Sequence, residues 1–155
     1  MSLFGKKYKL IAPLTGKLKD ITEVNDITFA QKFLGDGVAI EPTDGVLLSP
    51  VEGKIVQVFH TKHAIGIESK GLEILIHIGM DTVELKGEGF TAFVNEGDKV
   101  SVGDKLVEFD IDFIKEKGFE TDTAIVITNS DEFKSFEKQS GNVVAGQDEI
   151  MTVKK

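Results

Sequence analysis

The sequence predicts an all-β fold, a sandwich or barrel of antiparallel strands with only short helical turns. Three observations point to it. The apolar residues fall in short runs such as Val46-Leu47-Leu48, Lys54-Ile55-Val56-Gln57-Val58 and Ala124-Ile125-Val126-Ile127-Thr128. Sixteen glycines are scattered between those runs at turn-like intervals, the punctuation of many short strands. No window with helical periodicity is long enough to build a helical core.

Taken in order, the first feature is a weak internal repeat. Ala12-Pro13-Leu14-Thr15-Gly16-Lys17-Leu18 returns as Ser49-Pro50-Val51-Glu52-Gly53-Lys54-Ile55. Glu96-Gly97-Asp98-Lys99-Val100-Ser101-Val102-Gly103-Asp104 is echoed by Ser140-Gly141-Asn142-Val143-Val144-Ala145-Gly146-Gln147-Asp148. Proline pre-sets one turn angle and glycine supplies positive φ, so each copy reads as a turn feeding a strand. The pattern resembles the hybrid β folds of biotinyl and lipoyl carriers, which narrows the expectation to a barrel-sandwich hybrid. The modified lysine of those carriers has no counterpart setting here.

The next feature is a hairpin. Ser69-Lys70-Gly71 separates two apolar runs, and a three-residue loop with glycine last would pair Glu68 with Leu72 and set His63 directly opposite His77. In Leu72 to Gly79, alternation puts Leu72, Ile74, Ile76 and Ile78 on one face. Glu73, Leu75, His77 and Gly79 fall on the other. His77 thus points away from the main core, where the backbone near Gly79 can accept a proton from one ring nitrogen. A loop one residue longer or shorter is expected to separate the two imidazoles. Helical turns are expected around Asp112 to Lys117 and Asp131 to Gln139, where Phe133 and Phe136 are three apart.

Length and composition bound the function. A chain of 155 residues suits one domain spanning 1–155, with 1–10 as a short flexible lead-in. The absence of cysteine removes thiol chemistry and fits a reducing, cytoplasmic home. With 18 basic and 26 acidic residues and a formal charge of -8, neither nucleic acid nor an anionic membrane is an expected partner. No window carries the ~18 apolar residues of a membrane span.

Beyond this point the residues carry a resemblance. Ile76-His77-Ile78-Gly79-Met80-Asp81-Thr82-Val83-Glu84-Leu85-Lys86-Gly87-Glu88-Gly89-Phe90 resembles the signature of the glucose-type IIA proteins of the bacterial phosphoenolpyruvate:sugar phosphotransferase system. The likeness continues through Thr61-Lys62-His63-Ala64, Gly35-Asp36-Gly37-Val38-Ala39-Ile40 and Ile11-Ala12-Pro13-Leu14. The resemblance implies an antiparallel β-sandwich and a phosphotransferase without ATP. His77 would accept phosphate from phosphorylated HPr and pass it to a cysteine of a IIB permease domain for glucose-type sugar uptake. His63 would contact the phosphoryl group, and Thr61 would hydrogen-bond within the site. Partners would dock on a shallow apolar surface of Ile27, Phe29, Phe33, Leu34, Phe59, Leu75 and Val83, with Asp26 and Asp81 close by. By pattern alone Phe33 and Leu34 read as core. Thr28, Phe33 and Lys62 differ from the enteric members, whose regulatory contacts are not carried over. Those members also have a longer amphipathic N-terminal tail, and no direct membrane insertion is expected here.

No cofactor is required by this reading, although His63 and His77 leave room for an auxiliary zinc completed by a partner's carboxylate. Two alternatives stay open: a non-catalytic binding module on the same scaffold, and a zinc hydrolase of lysostaphin type. The second has His77-x-x-x-Asp81 spacing but lacks the late His-x-His pair, since no histidine follows His77.

Overall fold

The computed structural model describes residues 6–155. In chain order the strands are β1 (Lys7–Ile11), β2 (Gly16–Asp20), β3 (Asp36–Pro42), β4 (Val46–Leu48), β5 (Gly53–Val58), β6 (Ala64–Ser69) and β7 (Leu72–His77). They continue as β8 (Phe90–Ala92), β9 (Lys99–Val100), β10 (Lys105–Phe109), β11 (Thr123–Ile127), β12 (Ser135–Lys138), β13 (Gly141–Val143) and β14 (Glu149–Lys154). The α-helices are single short turns, α1 (Ile27–Ala30) and α2 (Ile111–Glu116). Every described strand pairing is antiparallel. The fold is the antiparallel β-sandwich that the sequence predicts.

An eight-stranded sheet runs β13-β2-β3-β11-β7-β6-β5-β9, with two three-stranded sheets, β1-β14-β12 and β4-β10-β8. One face of the large sheet supplies Leu18, Val38, Ile40, Ile55, Ile65, Ile67, Ile74, Ile76, Ile125 and Ile127 to the main core, together with Leu10, Leu47, Leu106, Ile150 and Val153 from the smaller sheets. β11 is buried along its whole length, which is why Ala124 to Ile127 reads as an unbroken apolar run. The other face carries a smaller cluster of Ile21, Val24, Phe29, Ala39, Met80, Ala124 and Val126, with Leu75 packed beside it.

The internal repeat is realised as reciprocal backbone pairing. Ile11 N–H donates to Pro50 O at 3.0 Å and Leu48 N–H to Pro13 O at 2.8 Å. Ala12 N–H reaches Asp148 O at 2.7 Å, as Ser49 N–H reaches Asp104 O at 2.8 Å. The side chains of Asp104 and Asp148 accept the Ser101 and Val144 amides in the same manner. Two proline turns thus close against each other, and each feeds a strand of the large sheet, β2 or β5.

Three expectations are corrected. Lys7 to Leu10, read as flexible lead-in, are the first four residues of β1 and pair with β14, with Leu10 fully buried. Residues 1–5 of that lead-in lie outside the described residues. Asp131 to Gln139 is not a helix: a 3-10 turn covers Ser130–Glu132 and the chain then enters β12. The two phenylalanines explain the change, since Phe133 packs edge-on to Tyr8 at 5.7 Å while Phe136 pairs opposite Val153. Conversely, α1 and the 3-10 turn Ile21–Glu23 form where no helix was expected. Asp20 and Asp26 cap them by accepting the amides of Thr22 and Thr28. The helical turn expected at Asp112 to Lys117 is α2, begun one residue earlier with Asp110 as its cap.

Candidate functional site

β7 delivers His77 at its last residue, between Ala64 of β6 and Ala124 of β11. Small neighbours on both sides leave the half-buried imidazole room above the sheet. The hairpin register differs from expectation by one residue. The turn is the two-residue Lys70-Gly71, with φ of 51° and 97°, so Ser69 rather than Glu68 pairs with Leu72. Positive φ at both positions is the signature of a tight type I′ hairpin, whose twist matches that of the strands.

The shifted register does not part the histidines. Their ring centroids lie 4.8 Å apart at 83°. His63 stands just outside β6, after Lys62 with a left-handed φ of 61°, and strand alternation does not govern the direction of a side chain at such a bend. Its carbonyl continues the ladder by accepting Ile78 N–H at 2.7 Å.

Each imidazole has one nitrogen held. Nδ1 of His77 lies 2.8 Å from the Gly79 carbonyl. That oxygen can only accept, so Nδ1 carries the proton and Nε2 keeps its lone pair. His63 Nδ1 is 2.6 Å from Thr61 Oγ1. His63 is 3 % exposed, and desolvation, helped by neighbouring His77, pulls its pKa down to about 4. Burial also lowers the His77 pKa, against the opposing pull of the Gly79 carbonyl, Asp26 and Asp81. Both rings are therefore neutral at pH 7. Phe29 lies against His77 with centroids 4.9 Å apart, and Phe59 stands edge-on to His63 at 5.5 Å.

The loop after β7 is built to hold the Gly79 carbonyl. Gly79 has φ of 75°, a region costly for any residue with a Cβ. Thr82 Oγ1 donates to Ile78 O at 2.5 Å, and Met80 N–H donates to Glu120 O at 3.1 Å. Thr82 and the Glu120 backbone were not singled out in the sequence. Thr82 lies inside the quoted signature, but nothing in the pattern marks residue 120. A Cβ on Gly79 would come within 2.5 Å of Thr82 Cγ2 and 2.8 Å of Glu120 O. Gly79→Ala is expected to cost about 2–4 kcal/mol of stability, by strained φ and overpacking together. A fall in the urea midpoint checks it, and an unchanged midpoint would show that the loop yields without cost.

Of the residues expected to form the partner surface, Ile27 is 66 % exposed, Phe33 68 %, Leu34 40 % and Val83 50 %. Phe33 and Leu34 are thus surface rather than core. Leu75 and Phe59 are half-buried. Phe29 differs from expectation: at 5 % exposure it is a buried support for His77, and not part of an open docking surface. Its position in α1, packed into the buried cluster that includes Ile21, Ala39 and Met80, accounts for this. Among the described residues no three His, Cys, Asp or Glu side chains gather as a metal-binding group. A zinc on His63 and His77 would need ligands from outside the chain.

A model of the family described as phosphoenolpyruvate-dependent sugar phosphotransferase system, EIIA 1, matches residues 8–133. The chain belongs to this family. Among EIIA relatives, the PTS system glucose-specific EIIA component of Halalkalibacterium halodurans is 56% identical over 147 residues, covering 94% of this chain and 85% of that protein. The Bacillus anthracis protein of the same name is 55% identical over 146 residues, 93% of this chain and 88% of its own. The solved structure of glucose permease IIA from Mycoplasma capricolum matches with a TM-score of 0.90 at 40% identity, over 98% of this chain and 99% of that one. This EIIA chain is therefore a component of a sugar phosphotransferase system. No helix among its described residues is long and apolar enough to cross a membrane.

Proposed function

We propose that this protein is a phosphoryl relay for glucose-type sugar uptake. His77 Nε2 takes the phosphoryl group from the phosphohistidine of HPr and gives it to a cysteine of a IIB permease domain. The observation that carries the reading is the Nδ1 to Gly79 carbonyl hydrogen bond of 2.8 Å, which leaves Nε2 as the nucleophile. In the first step the Nε2 lone pair forms a new N–P bond while the donor's N–P bond breaks, and the donor imidazole recovers its electron pair. In the second, a cysteine thiolate forms an S–P bond and Nε2 recovers its pair. Such transfers depend on alignment and on stabilising the equatorial oxygens.

His63 supplies that stabilisation. His63 Nδ1 is paired with Thr61 Oγ1, and in the tautomer where that hydroxyl donates, Nε2–H is left to meet a phosphoryl oxygen. Neutral when the site is empty, His63 binds a proton more readily beside a phosphoryl dianion. Phosphotransfer from phosphoenolpyruvate through the general enzymes of the system tests the relay. An acid-labile, base-stable label mapped to His77 is expected, and no label at all would favour a pure binding module.

Ile27, Phe33, Leu34 and Val83 form the apolar centre of the partner surface, while Asp26, Asp81 and the net charge of -8 steer a basic partner. Phe33→Ser is expected to raise the HPr dissociation rate about tenfold with little change in association. Wild-type association should slow as salt screens the rim. Stopped-flow binding across ionic strengths measures both. A salt-independent on-rate would remove the steering role of the acidic residues.

A further inference from the structure

The residues that bring Phe29 to His77 lie in one segment, Asp20 to Asp36, which leaves the large sheet at the end of β2 and rejoins it at the start of β3. It carries Asp26, Ile27, Phe29, Phe33 and Leu34, and its helical content is a three-residue 3-10 turn and the four-residue α1. Helices this short do not hold themselves in water. The segment is fixed by burying Ile21, Val24 and Phe29, and by its two ends.

Those ends share one cation. Lys138 Nζ, at the close of β12, lies 2.6 Å from Asp20 Oδ1 and 2.7 Å from Asp36 Oδ1. The three side chains are 18 %, 34 % and 20 % exposed, so the charges are partly withdrawn from solvent. Each carboxylate is engaged further: Asp20 Oδ2 accepts from the Thr22 amide and hydroxyl, and Asp36 Oδ1 from Gly37 N–H. Lys32 is a looser partner of Asp36 at 3.4 Å. Without the ammonium, two carboxylates would face one another at the neck of the segment and repel. β12 belongs to a different sheet, so this contact also joins the segment to the sheet β1-β14-β12.

We propose that Lys138 is a positioning residue: its ammonium ties both ends of the Asp20–Asp36 segment and so holds Phe29 against His77 and sets the partner surface of Ile27, Phe33 and Leu34. This rests on the relay reading for its effect on transfer. Lys138→Met in the full chain removes the cation while keeping the aliphatic stem. The KM for phospho-HPr should rise about five- to tenfold with kcat within about twofold, because docking geometry is disturbed while β7 and the Gly79 carbonyl that orient the His77 ring lie outside the segment. Amide exchange at Thr28, Ala30 and Gln31 should quicken about tenfold, while amides in β7 and β11 keep their protection. Lys138→Arg, which retains a cation with several donors, should restore both. If Lys138→Met folds poorly, Asp36→Asn breaks half of the tie and should give the same pattern, more weakly. An unchanged KM in a folded variant overturns the proposal, as does exchange that quickens equally in β7 and β11. If wild type accepts no phosphate, the relay reading fails, and the exchange measurement still decides whether Lys138 ties the segment.

Discussion

His77→Ala is expected to accept no phosphate from phospho-HPr, a loss of at least about 10⁴-fold, because removing a nucleophile abolishes the covalent step rather than slowing it. His63 cannot take over. Its Nδ1 is engaged with Thr61, its ring is buried at 3 % exposure, and its pKa of about 4 marks a less basic imidazole. Wild-type labelling should also carry a pH signature. Only the neutral ring has a free Nε2, and burial holds the His77 pKa below its ordinary 6.5. The midpoint of the acid fall in initial rate should therefore lie below the ordinary 6.5 rather than at or above it. Normal labelling of His77→Ala would sink the assignment, and a rate already falling between pH 8 and 7 would contradict the neutral resting state.

His63→Gln is the second large effect. Glutamine retains a neutral donor but cannot gain a proton beside the phosphoryl group, so acceptance at His77 should survive while transfer to IIB slows by up to about 10²–10³, because the charge-assisted bond that stabilises the transferring group is lost. Wild-type transfer to IIB in this variant would end the case for a catalytic His63. The same substitution alters acid stability. Between pH 6.5 and about 4 the unfolded chain protonates residue 63 while the folded chain does not. Wild-type stability should therefore fall as pH drops through that window. The variant should lose this part of the slope and retain the smaller part due to His77. Asp20 and Asp36 have pKa values lowered, against the effect of burial, by Lys138 and their other donors, and they lose their stabilisation as pH falls from the ordinary value of 3.8 toward the lowered folded values.

The legible parts of this protein are local. Alternation in Leu72 to Gly79 places His77 correctly on the outer face, and the nearness of Gly79 in sequence points to the carbonyl that holds its ring. The meeting of His63 and His77 follows in the sequence from a three-residue loop that the structure does not contain. The rings meet because a left-handed Lys62 turns His63 out of the strand pattern. No periodicity reports a positive φ at a lysine. The segment from Asp20 to Asp36 is harder still. Its short helices depend on Asp caps and on buried contacts to residues far along the chain, so Phe29 reads like its exposed neighbours Ile27 and Phe33. Lys138 sits in a stretch whose charge alternation suits a solvated helix, and only the tertiary fold brings it to two distant carboxylates.

The pairing of β7 with β11 bears on how the molecule assembles. Ala124 lies beside His77, yet the chain between these strands first passes through β8 and β10 of another sheet, β9 at the far edge of the large one, and α2. Closing so large a loop costs chain entropy before any contact compensates for it, which makes this a late and slow event in folding. The β6–β7 hairpin, by contrast, needs only the Lys70-Gly71 turn and forms early. Early intermediates would thus hold both histidines on a preformed hairpin without β11 beside them or Glu120 to receive Met80 N–H. Phosphate acceptance in a refolding experiment should accordingly lag behind hairpin formation, making the appearance of a labelled histidine a chemical clock for closure of the central sheet.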